Sequence, residues 1–336
     1  MFVSSSAKRC RSTWPLSLAC VIYVVVVYPS RSRYSQVRSG AFGPHETMPF
    51  GNFSGKKLLS QSGTDGIGHQ LLGMYSCMLV PLLDPTWVYV QKDFTGSTGH
   101  RTSRYSKKLF EALQEEYPKV QAEYYNVRRV DNCWGDLKRF CSQDRARCDS
   151  AKRHVSAAWD KRTNEFVTKM FWLSERSRPP AIVLHLRGGD QIENLRIGLK
   201  EYPHLVKYVH TKTGINSVII LTERSRDADF LKAELSPQIK TLSPSLNINY
   251  MIGGDPVKAW LTMVRATALI LGPSSFSISA AAARASKHTY TLWKKPNKGR
   301  YDDTVFPCSV NLQACEPSTC DVMTVYYDKG HGSDYC

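Results

Sequence analysis

This sequence predicts an α/β fold with parallel strands covered by helices, and three observations predict it. Short, continuously apolar runs such as Ala181–Leu186 (AIVLHL) and Ala268–Leu271 (ALIL) recur without polar alternation, as strands buried on both faces do. Stretches with apolar residues at helical spacing separate these runs,. Polar segments rich in Gly, Ser and Arg follow several of the runs, and ligands of open parallel sheets bind at the carboxyl ends of their strands.

The elements follow in order. Lys8, Arg9 and Arg11 precede an apolar run, Trp14–Tyr28, and Arg31 and Arg33 follow it. A basic region before 15 apolar residues reads as a secretory signal or a short signal anchor,. A full span takes about 20 apolar residues, and thinner early-secretory bilayers accept fewer. Tyr28 and Pro29 stand where a cleavage site wants small residues, which favours an uncleaved type II anchor over a cleaved signal. Residues 1–13 are then a cytoplasmic tail, 14–29 the signal anchor, and 30–55, rich in Ser, Arg, Gly and Pro, a stem,. Both targeting readings place the remainder in the lumen of the endoplasmic reticulum or Golgi.

Residues 56–178 form the first lumenal domain. Lys57–Ser60 is a short strand and Gly63–Gly68 a turn-rich loop. His69–Leu83 carries Leu71, Leu72, Tyr75, Met78, Leu79 and Leu82 at helical spacing,. Trp87–Val90 is a second strand. Residues 106–125 and 150–173 read as helices, with the cysteine-bearing segment 131–148 between them.

Pro179–Pro180 marks a break, and residues 179–305 form the second domain. Its strands are Ala181–Leu186, Ser217–Leu221, Ile248–Ile252, Ala268–Leu271 and Tyr290–Trp293. Helices over 203–211, 226–236, 256–267 and 276–285 alternate with them, Pro203 suiting a first helical turn,. This half reads as a Rossmann-like domain. Residues 306–336 are a cysteine-rich tail.

The chain carries 45 Lys and Arg against 29 acids, a formal charge of +16. Such a charge suits an anionic partner: nucleic acid, membrane headgroups or a phosphorylated substrate. No RNA-binding aromatic motif, zinc-finger spacing or compact basic run is present, so nucleic acid is set aside. Of ten cysteines, none form a CxxC pair, which argues against zinc and for disulfides in an oxidising lumen,. Local bridges are expected within 133–148 and within 308–336, while Cys77, inside an apolar helical run, is expected to stay free. Asn52-Phe53-Ser54 is the single glycosylation sequon,.

Three segments carry chemistry. His185-Leu186-Arg187-Gly188-Gly189-Asp190 follows a buried strand. Its glycines allow close backbone approach, and Arg187 offers a planar fork for phosphate oxygens. Gly272-Pro273-Ser274-Ser275-Phe276-Ser277 opens a small-residue helix, whose serines cap it and whose amides suit an anion,. Gly63-Thr64-Asp65-Gly66-Ile67-Gly68-His69-Gln70 joins a strand to a helix. Leu71 stands where a dinucleotide fingerprint needs its third glycine, which disfavours a nicotinamide-dependent oxidoreductase. Asp227-Ala228-Asp229 matches a metal-binding D-x-D, but acids favour a helix's first turn and the pair reads as an exposed helix start,.

These residues resemble the GDP-fucose-dependent fucosyltransferases, a group that includes α1,2-fucosyltransferases and protein O-fucosyltransferases. His185-x-Arg187-x-x-Asp190 looks like their H-x-R-x-x-D segment, and Leu271–Ala282 resembles their later donor-site motif. Gly66-x-Gly68-x-Gln70-Leu71 is similar to the element that opens the acceptor-side domain of the α1,2 enzymes. All three stand in the family's order, over roughly residues 60–295. The resemblance implies a GT-B-like fold, two Rossmann-like domains with a donor cleft between them. It implies inverting transfer from GDP-fucose to a glycan or glycoprotein acceptor, with no cofactor and no metal. Carried over by position, Arg187 would hold the diphosphate. His185, Gly189 and Asp190 would shape the donor pocket. Ser274, Ser275, Phe276 and Ser277 would bind or back the phosphates and nucleoside. Asp65, Gly66, Gly68, His69 and Gln70 would face the cleft from the other domain. Asp65, His69 and Asp190 are all candidates for a general base.

The sequence departs from the α1,2 pattern in two places. Gly188 replaces a second Arg, whose charge Arg224 or Arg226 could supply, and Ile278-Ser279 replace an aromatic pair. Linkage and acceptor are therefore open. A non-catalytic carbohydrate-binding or scaffold protein, or a transferase using another sugar nucleotide, remains an alternative reading.

Overall fold

Apolar strands from two parts of the chain build two parallel sheets. In the first, β1 (Lys57–Gln61) lies between β2 (Trp87–Tyr89) and β3 (Val127–Val130). In the second, the order is β6-β5-β4-β7-β8, from β4 (Ile182–His185), β5 (Ser217–Thr222), β6 (Asn247–Ile252), β7 (Ala268–Leu271) and β8 (His288–Thr291). Every pairing is parallel. The structure, a computed structural model, describes Phe53 and residues 55–291, apart from 64, 93, 95–102, 121–125, 172–179, 188–198, 200–201, 273 and 285–287. The described residues belong to one compact unit, Pro49–Cys336.

The helices are α1 (Ile67–Leu83), α2 (Ser106–Leu113), α3 (Trp134–Gln143), α4 (Arg145–Met170), α5 (Tyr202–Thr213), α6 (Ser225–Leu242), α7 (Pro256–Arg265) and α8 (Ser275–Ala282). Period-two alternation sends successive strand residues to opposite faces. Ile182, Leu184 and Ile270 pack with α5 and α6 in one core. Val183, Leu269 and Leu271 join α7, α8 and the whole first half in the other. Between the halves runs α1, apolar almost all round, as a fully enclosed helix must be,. It packs on β1, α3 and α4 on one side and on α8 on the other.

Several expectations change. Of the segment read as one helix over 106–125, Ser106–Leu113 is helical and turns follow at 114–116, while 121–125 lie outside the described residues. A third strand, β3, was not expected, and segment 131–148 is largely helical, in α3 and the start of α4. Cys77 is not free: it bridges Cys133, 56 residues on, and ties α1 to the start of α3. Cys141 pairs with Cys148 inside the expected local cluster. No helix among the described residues is long and apolar enough to cross a membrane. The predicted anchor, Asn52 and the 306–336 tail lie outside the described residues, as does nearly all of the stem.

Buried Arg284 closes the second half. Its guanidinium donates to the carbonyls of Met263 (2.6 Å), Val264 (2.9 Å), Ala266 (2.7 Å) and His288 (3.0 Å). Its Nε donates to the Thr289 hydroxyl. One side chain thereby satisfies the orphan carbonyls that end α7 and fastens them to β8.

Candidate functional site

The strand order of the second sheet fixes where a ligand can sit. From β4 the chain winds through α5 to β5 and through α6 to β6. From β6, α7 carries it back to the opposite side of β4, where β7 pairs. The winding therefore reverses between β4 and β7, and crevices form beyond the carboxyl ends at such a switch point. The segments starting at His185 and at Gly272 are the ones that leave those two strand ends.

Two glycines allow the close packing here. A Cβ on Gly272 would lie 2.3 Å from the carbonyl oxygen of His185, so the ends of β7 and β4 approach only with hydrogen at that position,. A Cβ on Gly68 would lie 2.4 Å from the Cα of Phe276. The start of α1 thus sits backbone-close against the start of α8, and the loop of the first half meets the strand ends of the second.

A cavity of about 350 Å³ opens at that junction. Asp65, Gly66, Ile67, Gly68 and His69 line it from the first half. His185, Arg187, Ser274, Ser275 and Phe276 line it from the switch point. Leu221, Thr222, Glu223, Met251, Gly253, Gly254, Pro256 and Ala259 extend it along the ends of β5 and β6 to the start of α7. Three helix N-termini, of α1, α7 and α8, contribute to the walls. Their partial positive charge adds to that of Arg187 and favours an anion.

His185 is buried, with its ring centroid 5.7 Å from that of Phe276. Burial first, and the Arg187 guanidinium second, push its pKa down to about 4, so the imidazole is neutral at pH 7. Its Nδ1 has no hydrogen-bond partner among the described residues. An unpaired buried polar atom beside a cationic, helix-capped cavity suits a polar ligand.

Most of the residues expected from sequence meet here, with two corrections. Gln70 does not face the cleft. It is fully buried, and its Nε2 donates to the Asp65 carbonyl (2.6 Å) while its Oε1 accepts from Lys92 Nζ (3.0 Å). Ser277 also turns inward: its hydroxyl bonds the carbonyls of Gly272 (2.8 Å) and Ser274 (3.0 Å) and so braces the loop. Ser274 caps α8 by accepting from Phe276 N–H (3.2 Å). Gly189 and Asp190 lie outside the described residues.

The candidate substitute cations are not at the site. Arg224 and Arg226 are exposed and do not line the cavity. The Asp227–Asp229 pair is not simply exposed either. Asp227 is buried, with one carboxylate oxygen unpartnered among the described residues, while Asp229 faces solvent beside Lys232. No cluster among the described residues could hold a metal ion.

Sequence reading missed two groups. Lys92 is buried and donates to the Gly63 carbonyl and to Gln70, bracing the 63–70 loop from beneath. Burial holds its pKa down to about 8, against the pull of Asp131. Thr222 and Glu223, at the end of β5, line the cavity; their signal was their place at the carboxyl end of a strand beside the switch point.

No protein-family model and no curated protein matches this chain. Among solved structures it is similar to an E. coli ADP-heptose lps heptosyltransferase II, at 10% identity and a TM-score of 0.33, over 70% of this chain and 84% of that one. A likeness of that degree carries no argument, so the reading of the site rests on its own geometry.

Proposed function

We propose that this protein is a glycosyltransferase of the secretory pathway that moves fucose from GDP-fucose to a glycan or glycoprotein hydroxyl, with inversion and without a metal. The observation that carries the reading is Arg187 beside the capped start of α8, at the switch point of a parallel sheet and facing the Gly66–His69 loop. The motif resemblance supplies the sugar and the base; the geometry supports a diphosphate. The two sheets would be the two domains of a GT-B-like enzyme. The N-terminal apolar run would hold it, as a single-pass type II protein, in the endoplasmic reticulum or Golgi membrane.

The proposed step is a displacement. The acceptor oxygen bonds to the anomeric carbon from the face opposite the leaving group. The bond from that carbon to the diphosphate oxygen breaks, and its electron pair stays on the leaving GDP. Arg187 and the helix N-terminal amides stabilise that growing charge. The acceptor proton would pass to a base, for which Asp65 and His69, which both line the cavity, are the candidates,. Neutral His185 would orient the diphosphate through a hydrogen bond without competing for the acceptor's proton.

Titration calorimetry of the full-length chain with GDP, UDP and NAD tests this. GDP-selective binding that Arg187→Ala abolishes, with folding intact, is the expected result. Unaltered GDP binding in Arg187→Ala overturns the assignment, and the absence of any nucleotide binding overturns the reading as a whole.

A further inference from the structure

We infer that Lys92 is a positioning residue for the reaction: its ammonium, buried beneath the 63–70 loop, holds Asp65 and His69 in the wall of the cavity. This rests on the reading of the site above and deepens it by naming what aims its candidate bases.

The ammonium ties the loop at both ends. It donates to the Gly63 carbonyl, where the loop begins, and to Gln70 Oε1 (3.0 Å), where it ends. Gln70 Nε2 then donates back to the Asp65 carbonyl (2.6 Å). The five residues from Asp65 to His69, which all line the cavity, lie between the two tied points. Lys92 is itself fixed from behind. Its backbone N–H donates to Gln114 Oε1 (2.8 Å), and its carbonyl accepts from Gln114 Nε2 (3.1 Å). Gln114 Oε1 also accepts from the Tyr89 hydroxyl (2.8 Å), inside the first half. A continuous chain of buried polar contacts therefore runs from the strand β2 to the backbone of Asp65.

An ammonium is a costly way to fill buried space, since an apolar side chain would carry no charge out of water. What it provides is direction: two acceptors, one at each end of the loop, are pointed at a single nitrogen. Burial holds its pKa down to about 8, against the pull of Asp131. The other groups bonded to it, Gln70, Gln114 and the Gly63 carbonyl, carry no charge. Above that pH the amine is neutral, and neutral hydrogen bonds are about half as strong as charge-assisted ones. An unfolded lysine keeps its proton to about pH 10.4. Between the two values the unfolded chain binds more protons, so the contribution of Lys92 to stability rises with pH while its hold on the loop weakens. A fall in activity over that range is then distinct from unfolding.

The test follows release of GDP from GDP-fucose, with water as the acceptor, by the full-length wild type, Lys92→Met and Gln70→Glu. GDP titration and amide exchange of His69 and Gln70, which both donate to the Gly66 carbonyl, accompany it. Wild-type turnover should fall as pH rises through about 8. Lys92→Met should lower kcat about tenfold or more, speed the exchange of both amides, leave GDP affinity unchanged and abolish the alkaline fall. Gln70→Glu keeps an acceptor for the ammonium but has no N–H for the Asp65 carbonyl, and it serves where Lys92→Met does not fold. It should also lower kcat, and its carboxylate should move the alkaline fall to higher pH. Unchanged turnover or unchanged exchange in Lys92→Met overturns this inference and leaves the nucleotide reading standing, as does an alkaline fall that Gln70→Glu leaves in place. Failure of the wild type to bind GDP overturns both.

Discussion

The two halves of the molecule reach the same cavity by different means. The second half positions His185, Arg187 and the start of α8 by packing: the apolar strands β4 and β7, buried along their length, and β5 beside them set the strand ends in register. Among the described residues the first half has three strands, and β3 is half-exposed along its length. Its contribution, the 63–70 loop, is held instead by polar and covalent ties: the Lys92–Gln70–Asp65 chain beneath it and the Cys77–Cys133 bridge on the helix that follows. A half with a small sheet cannot fix a loop by burial alone, and discrete fasteners do what the larger sheet does with area.

Three experiments would sharpen or break that contrast, beginning with the largest effect. Replacing Cys77 and Cys133 together by Ser opens a closure spanning 56 residues, worth about 4 kcal/mol on chain-entropy grounds. Opening Cys141–Cys148, 7 residues apart, should cost about 2.5 kcal/mol. Denaturant unfolding of both variants reads the difference, and equal losses would mean that the long bridge does not carry the first half.

The second effect belongs to the packed half. His185 takes up a proton near pH 6.5 when unfolded but only near 4 when folded. The unfolded chain therefore binds more protons between those values, and stability falls as pH drops from 6.5 to 4, by about 3 kcal/mol in all. Above pH 6.5 this residue contributes no slope. His185→Gln should flatten that part of the stability profile; a variant with the wild-type slope would show that the ring is not held neutral by burial.

The seam between the halves gives the smallest change. Gly68→Ala places a methyl group 2.4 Å from the Phe276 backbone, and the start of α1 must shift away from α8. The expected loss is about 2 kcal/mol, read as a lower urea midpoint at unchanged m-value, with transfer or nucleotide binding reduced in parallel. Unaltered stability would mean that the two helix starts are not in backbone contact.

The second half was largely legible in the sequence because its central strands, β4, β5 and β7, are nearly continuous apolar runs. Its site segments were legible because glycine, serine and arginine crowd the ends of those runs. The first half was less so. Val127–Val130 reads VRRV, and both arginines are exposed, so no apolar pattern marks a strand that pairs along one side of β1. Cys77 looked like one more apolar residue of α1, since nothing in helical spacing reveals a partner 56 residues on. Gln70 and Ser277 carry polar groups that could as well have faced a ligand. Their inward turn depends on carbonyls, of Asp65, Gly272 and Ser274, whose direction only the folded backbone sets. Lys92 stood out in no motif, because a buried lysine is defined by what surrounds it rather than by its neighbours in the chain.

Arg284 bears on ancestry rather than on chemistry. Its donors reach four carbonyls and a hydroxyl at once, and lysine, with three donors on a single nitrogen, could not reach them all,. A lineage that adopted this corner could not easily abandon it, whatever its substrate became. In chains too divergent to align over their length, an arginine following the paired serines at this interval, behind a run of small residues, would be a durable mark of common descent.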